Sequence, residues 1–248
     1  MRKTAITLIS ITGFLVMWLG LAVLTVDPAV LPTPGSLLAP FWAELQSGEL
    51  TYHLSQTLLR VFWAFCLAMS LGVVLGFAMG RSEALNDWLD PWLVVFLNLP
   101  ALVLIVLCYL WIGLNETAAI TAVTLNKVPN VAVMIREGTR ARSPDIAALA
   151  MVYRMAPIWR LLHVELPQLA PYFAAAARSG IAVIWKIVLV VELLGRSNGV
   201  GFQIHLYFQL FDVSMVLVYA FSFIAIMLLV EWFVLQPWER SSRRWRVA

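Results

Sequence analysis

Three ionisable side chains lie inside long apolar stretches of the sequence, where a charge is costly and often serves a function. Lys127 lies near the middle of one stretch, and Lys186 and Glu192 share another. Lys127 or Lys186 could line a passage and favour an anionic solute. Alternatively, Lys127 could pair with Glu192 between packed helices, and Lys186 could extend to the membrane interface. Lys186 and Glu192 are six residues apart, about 240° around a helix, so we do not expect them to pair with each other.

The sequence contains none of the residue patterns that support an enzyme or a metal centre. A His-Glu-x-x-His motif, a Gly-x-Ser-Gly motif and paired aspartates inside the apolar stretches are all absent, as is the phosphate-binding loop of ATPases. The histidines His53, His163 and His205 are scattered, and Cys66 and Cys108 lie in separate apolar stretches. We therefore expect no catalytic residue, no metal and no cofactor on this chain.

The composition predicts a protein that lives in a lipid membrane. Of 248 residues, 62% are apolar and 12% are charged, and the mean hydropathy is +0.86. Soluble domains are about 45–50% apolar and about 25% charged, so this chain cannot cover itself with polar surface. The net charge of +3 is too small to indicate a nucleic-acid partner.

Six apolar stretches are long enough, or nearly so, to cross a bilayer as helices, which needs about 20 residues. They cover residues 5–26, 58–79, 92–114, 117–135, 173–194 and 213–235. The sequence therefore predicts an all-α membrane protein with one domain over residues 1–248. We expect kinks at Pro100 and Pro129, and close helix packing along Gly72, Gly76 and Gly80.

Lysine and arginine are distributed unevenly between the two sides of this topology. The side that carries both termini collects twelve of them, whereas the opposite loops hold only Arg196. Because positive charge favours the cytoplasmic side, both termini are expected to be cytoplasmic. The twelve residues are Arg2, Lys3, Arg81, Arg136, Arg140, Arg142, Arg154, Arg160, Arg240, Arg243, Arg244 and Arg246.

The largest cytoplasmic piece is the loop at residues 136–172, which prolines divide into short segments. Residues 145–154 can form one helix, and residues 158–166 can form a second that ends at Leu166 and Pro167. Pro157 enforces a bend between them. From physics alone, this is an interfacial amphipathic segment that anchors the loop.

Motifs in this loop and along the rest of the chain resemble the membrane subunit of bacterial ABC importers, in the nitrate/sulfonate/taurine permease group. The loop opens with Pro144 and Asp145 and closes with Leu166 and Pro167, as in that family. Other matches in order and spacing are Leu31, Pro32, Pro34, Ser55, Leu58, Arg60, Arg178, Trp185, Glu192, Gly195, Ser197, Gly199, Gly201 and Glu231.

Two positions depart from the family's loop signature. Ala148 stands where the family has Glu, and Arg154 stands where it has Gly. Glycine tolerates the positive φ of a sharp bend. We therefore expect Arg154 either to adopt a less strained bend or to shift the bend toward Pro157.

The resemblance implies a type I importer fold in which this loop is a coupling helix that docks on a separate ATPase. The implied contact residues are Asp145, Ala147, Ala148, Arg154, Pro157, Leu166 and Pro167. Implied partners are two copies of an ABC ATPase subunit, which bind ATP and Mg, an extracytoplasmic solute-binding protein, a second copy of this chain and the bacterial inner membrane. The chain would be a transport subunit without enzyme activity. The alternatives are an ion-coupled secondary transporter or a channel, and, less well supported by the motifs, an intramembrane enzyme.

Overall fold

A computed structural model of the chain describes residues 2–25, 27 and 29–237. These residues form helices joined by short connections, with no strand among them. The α-helices are α1 Arg2–Thr25, α2 Leu38–Ser47, α3 Glu49–Arg81, α4 Glu83–Asn98, α5 Ala101–Ile112, α6 Glu116–Arg140, α7 Pro144–Val152, α8 Pro157–Arg160, α9 Leu166–Gly195, α10 Val200–Gln209 and α11 Val213–Val230. A 3₁₀ turn at Gly35–Leu37 precedes α2, and π-helical turns follow α8 at Leu161–Glu165 and α11 at Glu231–Leu235. The predicted all-α class is confirmed.

Four helical stretches of the described chain are long and apolar enough to cross a membrane. They are Glu49–Arg81, Glu116–Arg140, Pro157–Gly195 and Val213–Phe233. The pair α4 and α5 adds a fifth if it is counted as one bent span. The span predicted at residues 5–26 corresponds to α1, Arg2–Thr25, within which Ile9–Thr25 is an apolar stretch shorter than those four. Val26 and the arginines from position 240 onward lie outside the described residues.

The span predicted at residues 92–114, with a kink at Pro100, is not one continuous helix. The chain breaks at Leu99 and Pro100, and α4 and α5 meet at a bend of 99°. Proline lacks an amide hydrogen and forces the preceding residue out of the helical region, and Leu99 accordingly has ψ 125°. Pro100 was thus expected to bend the chain, but the bend is much sharper than a kink. By contrast, α6 continues through Pro129.

Helices α3, α6 and α9 form the centre of the molecule. The row of glycines on α3 allows this helix to approach α6 closely. A Cβ on Gly76 would overlap the carbonyl oxygen of Ala132 on α6. A Cβ on Gly72 would overlap Val131, and one on Gly80 would overlap Thr139. The predicted small-residue packing is therefore confirmed, and it lies within one subunit.

The two ends of this three-helix centre differ in chemistry. One end, here called the arginine-rich end, comprises the end of α3, the end of α6, α7, α8 and the start of α9. The other, here called the glycine-loop end, comprises the first half of α3, the start of α6, the end of α9 and the loop at residues 196–199. Each end contains a buried carboxylate: Glu165 meets three arginines at the first, and Glu192 meets one, Arg60, at the second.

Candidate functional site: an exposed loop and two buried carboxylates

The loop predicted to contact another protein folds as α7, a bend and α8. Ser143 precedes α7, and its hydroxyl accepts a hydrogen bond from the amide of Ile146 at 3.5 Å. Pro144 takes the first helical position, and Asp145 lies in the first turn, where its charge complements the helix dipole. The helix predicted at residues 145–154 thus forms, although it ends at Val152.

The bend after α7 is made by Arg154 itself. Its φ is +48°, in the left-handed region, and its amide donates to the carbonyl of Met151 at 2.9 Å. The amide of Met155 donates to Ala150 at 3.1 Å, which closes the helix end. Neither expectation for Arg154 holds, because this residue adopts the bend that glycine would adopt. Its side chain is exposed, so no neighbour obstructs the conformation.

The prediction that the second short helix ends at Leu166 and Pro167 is wrong. It starts at Pro157 and continues through the π-helical turn Leu161–Glu165 into α9, giving one helical stretch to Gly195. A proline inside an α-helix clashes with the carbonyl four residues before it. The wider π-helical turn accommodates Pro167 here, with the Leu166 amide donating to Leu161.

The outer surface of this loop is open and largely apolar. The side chains of Asp145, Ala148, Arg154, Pro157, Leu166 and Pro167 are exposed, and Ala147 lies in α7 between the first two of these. Large apolar neighbours are exposed too: Leu149, Met151, Val152, Tyr153, Ile158 and Trp159. The predicted contact residues therefore lie together on one loop, and the side chains named above are left uncovered by the part of the chain that the structure describes.

Beneath the loop, at the arginine-rich end, Glu165 forms a buried charge cluster that the sequence did not indicate. Glu165 is 2% exposed, and its carboxylate meets Arg81, Arg142 and Arg160. A pocket of about 330 Å³ adjoins it, and Thr139 forms part of its wall. Glu165 could not be identified from the sequence, because its partners come from three separate segments.

At the glycine-loop end, Glu192 is fully buried and its carboxylate is satisfied by three donors. Arg60 Nη1 donates at 2.6 Å, Thr57 Oγ1 at 3.0 Å and the amide of Gly201 at 2.8 Å. Gly199 has φ +105° and ψ 168°, a region almost restricted to glycine, and a Cβ there would overlap the Glu192 carboxylate. The loop therefore folds around the carboxylate.

Arg60 joins this loop to the start of α6. Its Nε and Nη2 donate to the Glu116 carboxylate at 2.8 and 2.6 Å, and it also contacts the backbone and side chain of Asn198. Arg196 reaches the same carboxylate at 2.6 Å. Sequence reasoning noted Arg60 and the glycines as family matches but missed Glu116, which lies just before a predicted span rather than in it.

The pairing considered for Lys127 and Glu192 is wrong, since Glu192 is held by Arg60. Lys127 is 3% exposed, and a Cβ on Gly180 of α9 would come within 3.4 Å of its Cε. Within the described part of the chain it has no hydrogen-bond or ion-pair partner, and the hydroxyl of Thr124, one turn earlier, has no hydrogen-bond partner there either. Lys127 is thus a buried lysine with no anion beside it among those residues.

Lys186 lies on a different surface from Lys127. It is exposed on a face of α9 that also carries Ser179, Ala182 and Val190. The Ser179 hydroxyl lies 3.7 Å from the sulfur of Met134 on α6, so this face continues onto that helix. Small and polar residues on an open helix face are unusual where lipid is the neighbour.

A family model describes most of this chain. The model for "Binding-protein-dependent transport system inner membrane component" matches residues 68–236. The chain is 30% identical to the "Putative aliphatic sulfonates transport permease protein SsuC" of Escherichia coli K12 over 77% of this chain and 73% of that protein. It is also 30% identical to the Bacillus subtilis 168 protein of the same name over 89% of this chain and 80% of that one. The "Taurine transport system permease protein TauC" of Escherichia coli K12 is 25% identical over 82% and 76% of the two chains.

Two solved transporter structures share the fold. A chain of an amino acid ABC transporter crystallised with histidines superposes with a TM-score of 0.66 at 21% identity, covering 81% of this chain and 98% of that one. A chain of the MetNI methionine ABC transporter in an inward-facing conformation superposes with a TM-score of 0.62 at 17% identity, covering 83% and 97%.

Proposed function

The chain belongs to the binding-protein-dependent transport system inner membrane component family of ABC transporter permeases, and we propose that it forms the translocation path for a small anionic solute of the sulfonate, taurine or nitrate kind. As a transport subunit it is not an enzyme. The observation that carries the proposal is the exposed loop α7–α8, which is joined directly to the core helices α6 and α9.

We propose three partners, because the sequence has no phosphate-binding loop for ATP and because the loop α7–α8 exposes an apolar surface. A separate ABC ATPase, present in two copies that bind ATP and Mg, covers the exposed apolar surface of α7 and α8. An extracytoplasmic binding protein delivers the solute at the glycine-loop end. A second copy of this chain completes the path, because an isologous pair gives two loops for two ATPases.

In the proposed mechanism, nucleotide biases a rigid-body switch. Closure of the ATPases on ATP brings the two loops together, and each loop moves the helices to which it is joined. Because α8 is continuous with α9, a displacement of the loop becomes a displacement of a helix that runs to Gly195. The loop end is proposed to be cytoplasmic, with both termini on the same side, in a six-span topology of the bacterial inner membrane.

The two lysines support an anionic solute in different ways. Lys186 lies on the open, partly polar face of α9, and a charge facing lipid would be costly, so we propose that this face borders the path. Lys127 is buried behind it without an anionic partner among the described residues, and we propose that it adds positive potential to the passage. Glu192 is proposed to act on the path only through the loop that it holds.

The test is solute uptake by proteoliposomes that contain this chain, its ATPase and its binding protein. The proposal predicts that an alkanesulfonate or taurine is taken up only when ATP and Mg are supplied, and that the loaded binding protein stimulates hydrolysis. Uptake driven by a proton gradient without ATP would support the ion-coupled class instead and would contradict the proposal.

A further inference from the structure

We infer that Glu165 is a positioning residue that ties the loop α7–α8 to the ends of α3 and α6, so that one movement of the loop is transmitted to all three core helices. This inference rests on the proposed function, since it concerns how the loop transmits force. It assigns a role to the cluster beneath the loop rather than to the loop's outer surface.

Glu165 forms ion pairs with arginines from three segments at once, and its contact with Arg81 is also a hydrogen bond. Its Oε1 lies 2.8 Å from Arg81 Nη2 at the end of α3 and 3.2 Å from Arg160 Nε in α8. Its Oε2 lies 2.7 Å from Arg142 Nη1 in the connection between α6 and α7. Glu165 itself is the last residue of the π-helical turn that joins α8 to α9. A single carboxylate therefore links the ends of α3, α6 and α9 to the loop.

Neighbouring contacts hold the arginines in place. Arg142 Nε donates to the carbonyl of Thr139 in α6 at 2.7 Å, and the guanidinium groups of Arg81 and Arg142 lie 4.8 and 5.8 Å from the ring of Phe77. Such cation–π contacts restrict where the two guanidiniums can move. The arginines are thus anchored on α3 and α6, and Glu165 binds the loop to them.

Apolar packing does little to hold the loop at this point. Of the α7 side chains that the structure describes, only Ala150 is buried. A pocket of about 330 Å³, lined mainly by polar and charged residues including Ser143 and Gln168, separates the loop from the helix ends. The charge cluster, together with a hydrogen bond from the Ser143 amide to Gln168 at 3.0 Å, therefore carries the connection.

The charges in this cluster are unbalanced, so we expect substitutions at different positions in it to loosen the loop to different degrees. Three guanidiniums surround one carboxylate, so removal of the carboxylate leaves three cations that repel one another and can turn toward solvent. Removal of Arg81, whose side chain is 46% exposed, leaves Glu165 paired with the other two arginines. Glu165→Gln should therefore loosen the loop much more than Arg81→Gln.

The test uses the assembled transporter in proteoliposomes with Glu165→Gln, and Glu137→Gln as a matched control. Glu137 is a carboxylate at the same end, but it is 54% exposed, and its ion pair among the described residues is with the adjacent Arg136. With Glu165→Gln, the ATPase should still co-purify and hydrolyse ATP, while solute moved per ATP falls by about tenfold. The control should keep the wild-type ratio.

A distance measurement separates this inference from the proposed function. The transporter first has Cys66 and Cys108 replaced by Ala. Spin labels are then attached at Val152→Cys on α7 and at Ser82→Cys after α3. The distribution of distances between the two labels reports how firmly the loop is held. The inference predicts a broadened distance distribution for Glu165→Gln and an unchanged one for Glu137→Gln. An unchanged distribution for Glu165→Gln overturns it, whether or not ATP drives uptake.

Arg81→Gln keeps the inference testable if Glu165→Gln does not accumulate in the membrane. It should lower solute moved per ATP by about threefold and broaden the same distances partially. If Arg81→Gln and Glu165→Gln are both indistinguishable from wild type in coupling ratio and distance, Glu165 does not position the loop.

Discussion

At the residue scale, Glu192 organises the glycine-loop end because every nearby group is arranged around its carboxylate. A buried carboxylate is costly unless it is paired and hydrogen-bonded. Here one guanidinium, one hydroxyl and one backbone amide supply the donors. The role of the glycine loop is therefore to bring its backbone within hydrogen-bonding distance of Glu192, which requires residues without a Cβ.

Gly199→Ala tests this role of the loop. At φ +105° a non-glycine residue costs about 1–3 kcal/mol, and the added methyl would also displace the Glu192 carboxylate from its donors. We expect a clear fall in the thermal unfolding midpoint of the purified protein. Gly20→Ala is the control, because nothing lies within 4 Å of its Cβ position. Equal midpoints for the two variants would contradict this account of the loop.

Arg154→Gly tests the bend after α7. A left-handed residue other than glycine costs about 1–2 kcal/mol, so glycine should relieve strain at φ +48°. We expect a thermal midpoint equal to or above that of wild type, with uptake retained. Arg154→Val, which is β-branched, should lower the midpoint. If glycine destabilises the protein as much as valine, the bend does not depend on positive φ.

Lys186→Met and Lys127→Met test the proposed anionic path with the same change at an exposed and a buried position. Loss of the charge on the open face of α9 should lower alkanesulfonate uptake by about tenfold, and loss of the buried charge by about threefold. Val190→Met, on the same face as Lys186, should leave uptake unchanged. Wild-type uptake by both lysine variants would remove both residues from the path.

The sequence predicted which residues are unusual but not which of them meet. Glu192 stood out because carboxylates are rare in spans, and in the structure it is completely buried. Lys127 was one partner considered for it, whereas the partner in the structure is Arg60, 132 positions away. Such a pairing depends on helix register in three dimensions, which one sequence does not define.

At the element scale, long uninterrupted apolar runs were predictable and the joints between helices were not. The spans that became α3, α6, α9 and α11 stood out by hydropathy alone. The 99° bend between α4 and α5 and the π-helical turn before α9 both occur near prolines. Proline marks a place where the α-helix cannot continue unchanged, but whether it breaks the helix or is absorbed by a wider turn depends on the surrounding packing.

Gly76→Ala tests the contact between α3 and α6, on which both ends of the molecule depend. Its methyl would overlap the Ala132 carbonyl, which cannot move without shifting α6, so we expect a loss of about 2–3 kcal/mol. The measurement is the thermal unfolding midpoint in detergent. Gly13→Ala on α1, where the added methyl meets no described atom within 4 Å, should leave the midpoint unchanged or slightly raised, because alanine favours the helix. A tolerated Gly76→Ala would show that the two helices are not held this closely.

At the scale of the whole molecule, the three core helices connect a charged cluster at one end with another at the opposite end. Glu165 joins α3, α6 and α9 to the loop, and Glu192 and Arg60 join the same three helices at the glycine-loop end. We expect a molecule fixed at both ends in this way to move as a body. Force applied to α7 and α8 would therefore reach the glycine-loop end without bending the helices between.

The central claim, that the ATPase acts on this chain through the loop α7–α8, is tested most directly by site-specific photo-crosslinking in the assembled transporter. A crosslinking residue at Ala148, exposed on α7, should capture the ATPase, and the yield should change when ATP is added. A crosslinking residue at Thr117, exposed at the start of α6, should not capture it. Capture of the ATPase from Thr117 and none from Ala148 would contradict the account.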